Sequence, residues 1–243
     1  MARQSYANMK EITIIAGPCA VESKDQIEKT AEFLAKLGVK ILRGGAFKPR
    51  TNPDDFQGLG EEGLKLLRAA ADKFGMQVIT EVMDPRDIEM VSKYADILQI
   101  GSRNMHNSPF LAELGKQKKP LLLKRGMSAT LNEFLQAVRY IEKAGNKNIL
   151  LCERGERTFH DETRFTLNLG SIPAIKSKSN YPLIVDPSHA AGNRDYVIAM
   201  AKGAIAAGAD GLMIEVHPDP EKALCDGPQA LTFTMFEQLM NEI

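Results

Sequence analysis

Cys19, His189, Glu215 and Asp226 are residue types that hold a divalent metal ion. Arg43, Lys48, Arg50, Arg103, Lys124, Arg125 and Arg154 are types that hold phosphate and carboxylate. Thiolate with imidazole suits a borderline metal, and two carboxylates widen the choice to manganese, iron, cobalt or zinc. The four candidate ligands include no close-set pair such as C-x-x-C or H-x-x-x-H, so only the fold can bring them together. Taken singly, Cys19 reads more readily as a small buried hydrophobe, and His189 equally well as a satisfied core histidine. Glu215 ends an apolar run, where an unpaired buried carboxylate is costly, so it needs a partner. Asp186 could orient a ligand from behind. His217 competes as a ligand, while Cys152 and Cys225 read as structural.

The cations carry a second argument. Each alone could be solvated or paired with a nearby Glu or Asp. As a set they fall at or just after the ends of apolar runs, which charges scattered over helix faces would not do. Five or more cations in one mouth repel one another unless anions fill it, so the expected substrates carry several negative charges. Gly101 before Ser102 and Arg103 lets backbone N–H groups approach an oxyanion. Lys124 could instead form a Schiff base. No G-x-S-x-G or Walker loop is present.

The elements that must position these residues follow from eight short apolar runs: Ile12–Ala16, Val39–Leu42, Met76–Thr80, Ile97–Ile100, Leu121–Leu123, Ile149–Leu151, Leu183–Val185 and Leu212–Ile214. Apolar bodies with polar tips mean buried parallel strands with chemistry on one rim. With helical stretches between them, the pattern predicts an α/β fold, a single (β/α)8 TIM barrel over residues 11–243 after a short extension at 1–10. An open doubly wound sheet is the alternative, disfavoured by the run count and the missing G-x-G-x-x-G turn. Expected helix stripes are Ile27, Ala31, Leu34 and Leu37; Leu64, Leu67, Ala71 and Phe74; Leu131, Leu135, Val138 and Ile141; and Leu231, Met235 and Leu239. Gly38, Gly75, Gly145 and Gly208 suit left-handed C-caps, and Asp25, Asp84, Ser108 and Thr130 suit helix starts. Two long connections, Gly44–Gly60 and Glu153–Arg164, are expected to be functional.

The length of 243 residues is enough for one barrel and a large core. A net charge of zero gives no global field toward nucleic acid or membrane. Three cysteines, the polar start and the absence of a membrane-length apolar run point to a cytoplasmic protein.

Gly17-Pro18-Cys19-Ala20 with Glu22-Ser23, Lys48-Pro49-Arg50-Thr51, Ile100-Gly101-Ser102-Arg103-Asn104, Leu123-Lys124-Arg125-Gly126, Cys152-Glu153-Arg154-Gly155, Asp186-Pro187-Ser188-His189 and Glu215-Val216-His217 together resemble the 3-deoxy-D-arabino-heptulosonate 7-phosphate (DAHP) synthases. The similarity is to their short microbial type, related to 3-deoxy-D-manno-octulosonate 8-phosphate synthase, and runs from Ile12 to the C-terminus. The resemblance implies condensation of phosphoenolpyruvate with erythrose 4-phosphate at the head of the shikimate pathway. It implies one divalent metal ion on Cys19, His189, Glu215 and Asp226. It assigns phosphoenolpyruvate to Arg43, Lys48, Arg103, Lys124 and Arg154 with the Ser102 backbone, and erythrose 4-phosphate to Arg50 and Thr51. The mechanism it implies is an aldol-like condensation in which C3 of phosphoenolpyruvate attacks the aldehyde, which a bound metal would polarise, water adds at C2, and phosphate departs by C–O cleavage. Lys48 could be the acid toward the aldehyde oxygen, its pKa lowered by the surrounding cations, with a metal-bound water as the competing proton source.

Lys48-Pro49-Arg50-Thr51 favours this enzyme over the octulosonate sister, which carries an Ala-Asn-Arg-type segment there and uses arabinose 5-phosphate. Asn52 stands where the family often has Ser. A non-catalytic phosphate-binding barrel is the rival outside enzymes, but all four metal candidates are kept. The family is usually dimeric or tetrameric, so a homo-oligomer is expected, and a separate regulatory partner stays open. With only about ten residues before the first strand, no regulatory domain of its own is expected. Phenylalanine or tyrosine added to the purified protein should therefore leave turnover unchanged, and strong inhibition by either would overturn this.

Overall fold

The computed structural model describes residues 12–243, so the expected extension over 1–10 lies outside the described residues. Eight strands run in parallel: β1 (Thr13–Gly17), β2 (Ile41–Arg43), β3 (Gln77–Val82), β4 (Ile97–Ile100), β5 (Leu121–Lys124), β6 (Ile149–Glu153), β7 (Leu183–Val185) and β8 (Gly211–Glu215). Each pairs with the next, and β8 returns to β1, with Gly17 opposite Glu215. That closure excludes the open doubly wound sheet. Around the barrel lie α1 (Lys24–Lys36), α2 (Glu61–Lys73), α3 (Ile88–Tyr94), α4 (Ser108–Gly115), α5 (Leu131–Lys143), α6 (Ser171–Lys176), α7 (Pro187–Ala191), α8 (Arg194–Ala206) and α9 (Phe233–Glu242).

Alternation along each strand sorts the core into two. Ile15, Ile41, Ile79, Ile97, Leu122, Leu150, Cys152, Ile184 and Met213 fill the barrel's interior. Their neighbours Ala16, Leu42, Leu98, Leu123, Leu151, Val185 and Ile214 pack outward under the helices. Two residues beyond an interior position come Arg43, Glu81, Gln99, Lys124, Arg154, Asp186 and Glu215. The same parity that hides the isoleucines therefore delivers these polar tips into the mouth.

Gly38, Gly75, Gly145 and Gly208 follow their helices at φ of +80°, +66°, +115° and +100°, as expected of C-caps. Some helix starts differ. Ser23, not Asp25, caps α1, and Asn107, not Ser108, caps α4, because their side chains accept from the backbone N–H of Gln26 and Phe110. Thr130 caps α5 with Glu133 in a capping box. The buried face of α5 is Phe134, Ala137, Val138 and Ile141, a stripe that leaves Leu131 and Leu135 half-buried on its flank. Leu231 precedes α9 and is buried by its bridge to Val216, while Phe236 and Leu239 are the helix's buried residues. The β6–α6 connection runs on to Gly170, and a third long one, 216–232, carries Cys225 and Asp226.

Replacing Phe134 by Ala should cost about 3–5 kcal/mol in urea unfolding, and Leu135→Ala less than half as much. Equal losses would show that the assigned face of α5 is wrong.

Candidate active site

The strand tips open into a cavity of about 500 Å³ at the C-terminal end of the barrel. All eight residues expected to bind substrate line it: Arg43, Lys48, Arg50, Thr51, Ser102, Arg103, Lys124 and Arg154. Arg157 and Arg164, from the β6–α6 loop, line it too, and the sequence reading named neither as a site residue. The lining holds eight Arg or Lys side chains against three carboxylates, Asp55, Glu81 and Asp226, so the mouth is electropositive. A larger hollow of about 1060 Å³ opens at the opposite end of the barrel, but neither thiol nor imidazole lines it.

Several of these cations are already partnered. Arg43 donates to Glu215 at 2.7 Å, Lys124 to Asp186 at 2.5 Å and Arg50 to Asp55 at 3.0 Å. Among the described residues, no carboxylate lies within ion-pair distance of Arg154. Its guanidinium stacks on the Phe165 ring at 4.0 Å, and its Nη1 is buried without a hydrogen-bond partner. Burial lowers its pKa. The buried Nη1 of Arg50 is likewise unpartnered. Such orphaned donors at 4% exposure for Arg154 are what an anion would satisfy.

Arg125 departs from the sequence reading. It follows inward-facing Lys124, so it points out of the barrel. There it donates to Glu153 at 2.7 Å, to Glu156 at 2.9 Å and to the Ala129 carbonyl. Glu153 also accepts from Ser171 Oγ and from the backbone of Arg154 and Gly155. This pair fastens the root of the β6–α6 loop and stays out of the mouth.

Gly101 has a steric role as well. A Cβ there would lie 2.0 Å from Glu81 Oε1, so the missing side chain makes room for that carboxylate. Gly45 does the same for Lys48, whose Cδ would stand 2.8 Å from a Cβ. Lys48 Nζ donates to Cys19 Sγ at 2.9 Å and to the Cys19 carbonyl at 3.1 Å. Burial works to lower the Lys48 pKa, yet the facing Cys19 and Cys225 sulfurs outweigh burial and the Arg43 charge and raise it. The expectation of a lowered value is therefore corrected.

The metal candidates gather at one side of the floor. Ligand atoms of His189, Glu215 and Asp226 lie within 4.8 Å of one another, as do those of Cys19, Cys225 and Asp226. Asp226 belongs to both groups: its Oδ2 lies 3.2 Å from Cys19 Sγ and 3.8 Å from His189 Nε2. His189 Nε2 lies 3.5 Å from Glu215 Oε1. Cys225, read from sequence as structural, lines the cavity with its sulfur 3.1 Å from that of Cys19. His217, the competing candidate, is turned away, facing Glu22 at 3.3 Å and accepting from the Asp219 backbone.

The donor set fits a divalent ion. Two carboxylates, an imidazole and a thiol match the borderline-metal chemistry; Asp186 Oδ2 lies 2.8 Å from His189 Nδ1 without hydrogen-bond geometry, while its Oδ1 accepts from the His189 backbone N–H. Burial pushes the His189 pKa down, which favours the neutral ring that ligation needs. Burial alone would raise the pKa of Asp186, but His189 and Lys124 facing it hold it well below the carboxylate range. Gln229 donates to Glu215 Oε2 at 2.6 Å and accepts from Arg164, which also donates to Asp226 at 3.1 Å. One chain of bonds thus joins the β6–α6 and β8–α9 loops over the site.

The sequence profile of the DAHP synthetase I family matches residues 6–243. The chain is 54% identical to the phospho-2-dehydro-3-deoxyheptonate aldolase of Thermotoga maritima, over 95% of this chain and 68% of that protein. It is 31% identical to the 2-dehydro-3-deoxyphosphooctonate aldolase of Thioalkalivibrio sulfidiphilus, over 94% and 87%. A crystal structure of the Thermotoga maritima DAHP synthase superposes with a TM-score of 0.93 at 54% identity, covering 96% of this chain and 68% of that one. A truncated form of the synthase from the same organism gives 0.89 at 50% identity, covering 96% and 85%.

Arg125→Met should destabilise the fold by about 3–5 kcal/mol, because it strands the buried Glu153 carboxylate. Arg103→Met, at an exposed position, should change stability by less than about 0.5 kcal/mol. Denaturant midpoints for the two variants test this, and a stable Arg125→Met protein would return Arg125 to the binding set.

Proposed function

This chain belongs to the DAHP synthetase I family, and from that premise we propose that it is a 3-deoxy-7-phosphoheptulonate synthase that joins phosphoenolpyruvate to erythrose 4-phosphate with the aid of one divalent metal ion. The observation that carries the reading is the cavity in which unpartnered cations and a thiol–imidazole–carboxylate cluster share one mouth. Anionic substrates answer the cations, and an aldehyde acceptor gives the metal cluster a task. The higher identity to the heptonate enzyme than to the octonate enzymes, 54% against 31%, and the Lys48-Pro49-Arg50-Thr51 segment favour erythrose 4-phosphate over arabinose 5-phosphate. The free, buried cysteines agree with a reducing, cytoplasmic setting. No helix among the described residues is long and apolar enough to cross a membrane.

In this reading Arg43, Arg103, Lys124 and Arg154 hold the phosphate and carboxylate of phosphoenolpyruvate, with the Ser102 backbone assisting. Arg154 and Lys124 are rigidly seated, by Phe165 and Asp186 respectively, so they orient the anion at little further entropic cost. Arg50 and Thr51, beyond the rigid Pro49, take the phosphate of the second substrate. Cys19, His189, Glu215 and Asp226 hold the metal, which when bound supplies Lewis-acid polarisation of the aldehyde. As C3 bonds to the aldehyde carbon, Lys48 Nζ gives a proton to the developing alkoxide. Water adds at C2 and inorganic phosphate leaves by C–O cleavage. An ammonium gives up its proton only to a stronger base, which the developing alkoxide is. The amine of Lys124 is engaged by Asp186, which disfavours the Schiff-base alternative.

Phosphate release should be rapid with phosphoenolpyruvate and erythrose 4-phosphate, slow with arabinose 5-phosphate, and abolished by a chelator. Lys48→Met should lower kcat by roughly 10²–10⁴-fold. Full turnover after metal removal would sink the metal part of the reading, and equal use of both aldehydes would sink the choice of substrate.

A further inference from the structure

We propose that Cys225 is a metal ligand beside Cys19, so that the ion is held by two sulfurs. The inference rests on the reading that Cys19, His189, Glu215 and Asp226 hold a metal, and it adds a residue to that set.

Four distances carry it. Cys225 Sγ lies 3.1 Å from Cys19 Sγ, and Cys19 Sγ lies 3.2 Å from Asp226 Oδ2. Asp226 Oδ2 lies 3.8 Å from His189 Nε2, which lies 3.5 Å from Glu215 Oε1. Ligand atoms around a tetrahedral ion with bonds of 2.0–2.3 Å stand about 3.3–3.8 Å apart. Cys19, Cys225 and Asp226 form one group with ligand atoms within 4.8 Å of one another, and Asp226 links it to His189 and Glu215 in a second. Neither the substrate assignments nor the buried ion pairs give Cys225 any other task.

The backbone supports the same conclusion. Asp226 is the one non-glycine at positive φ among the described residues, at +53°, a conformation kept only where the surroundings enforce it. That turn brings two consecutive side chains, Cys225 and Asp226, to the same sulfur atom of Cys19. The turn has little freedom to relax, since a Cβ at Gly227 would lie 2.4 Å from the Pro220 carbonyl oxygen. Glu22 braces the loop from the β1 side by facing His217 and accepting from the Leu224 backbone N–H. A cysteine serving only as packing would not need this arrangement.

Two thiolates make the site softer than one. They favour zinc, cobalt or ferrous iron over manganese or magnesium, whose preferred donors are oxygens. Metal-free protein loaded with one equivalent of zinc should show two sulfur neighbours at about 2.3 Å by X-ray absorption. This measurement needs no variant. With cobalt, Cys225→Ser should lose about half of the sulfur-to-metal charge-transfer absorption, and its zinc affinity should fall at least roughly tenfold with manganese affinity little changed. One sulfur in the wild type, removed by Cys19→Ser and untouched by Cys225→Ser, would overturn the inference and leave the metal reading of the previous section standing. No sulfur at all would overturn both.

Discussion

A closed barrel of parallel strands allows each side chain only two directions, into the lumen or out toward the helices, and the choice alternates without exception along a strand. This constraint places the chemistry. Each of Arg43, Glu81, Gln99, Lys124, Arg154, Asp186 and Glu215 stands two residues after an interior apolar side chain. No loop has to fold in a special way to bring them together. The barrel's packing phase converts seven stretches of sequence into one ring of charge.

Concentrating charge in this way is costly, and the structure offsets it by pairing. Arg43 with Glu215 and Lys124 with Asp186 are buried pairs in which each charge depends on the other. Asp186 serves two neighbours, Lys124 on the anion side and His189 on the metal side. One carboxylate thus stands between the two halves of the site, accepting from Lys124 and from the His189 backbone N–H. Arg154 is left out of these pairings, and its aromatic seat holds it in place without neutralising it.

Much of this was legible in the sequence. The eight runs match the strands, and the tip residues Arg43, Lys124 and Arg154 line the cavity together with Lys48, Arg50, Thr51, Ser102 and Arg103 from the loops that follow. Arg125 shares the strand end with the other cations but not their direction. Counting by twos from Leu122 puts Lys124 inside and Arg125 outside. The caps at Ser23 and Asn107 depend on which of two neighbouring polar side chains reaches a backbone N–H, which composition does not encode. Cys225 was missed for a deeper reason: its partner is Cys19, 206 residues away, and only a left-handed turn at Asp226 aims it there. The Lys48 pKa went the wrong way because its nearest neighbours are sulfurs, whereas the sequence suggested only cations nearby.

Arg164 reaches from the β6–α6 hairpin to Asp226 and, with Gln229 between, to Glu215. Two rim segments far apart in the chain are thereby stitched into one cover. Replacing either segment alone would break the Arg164 contacts and leave Asp226 and Gln229 without that partner.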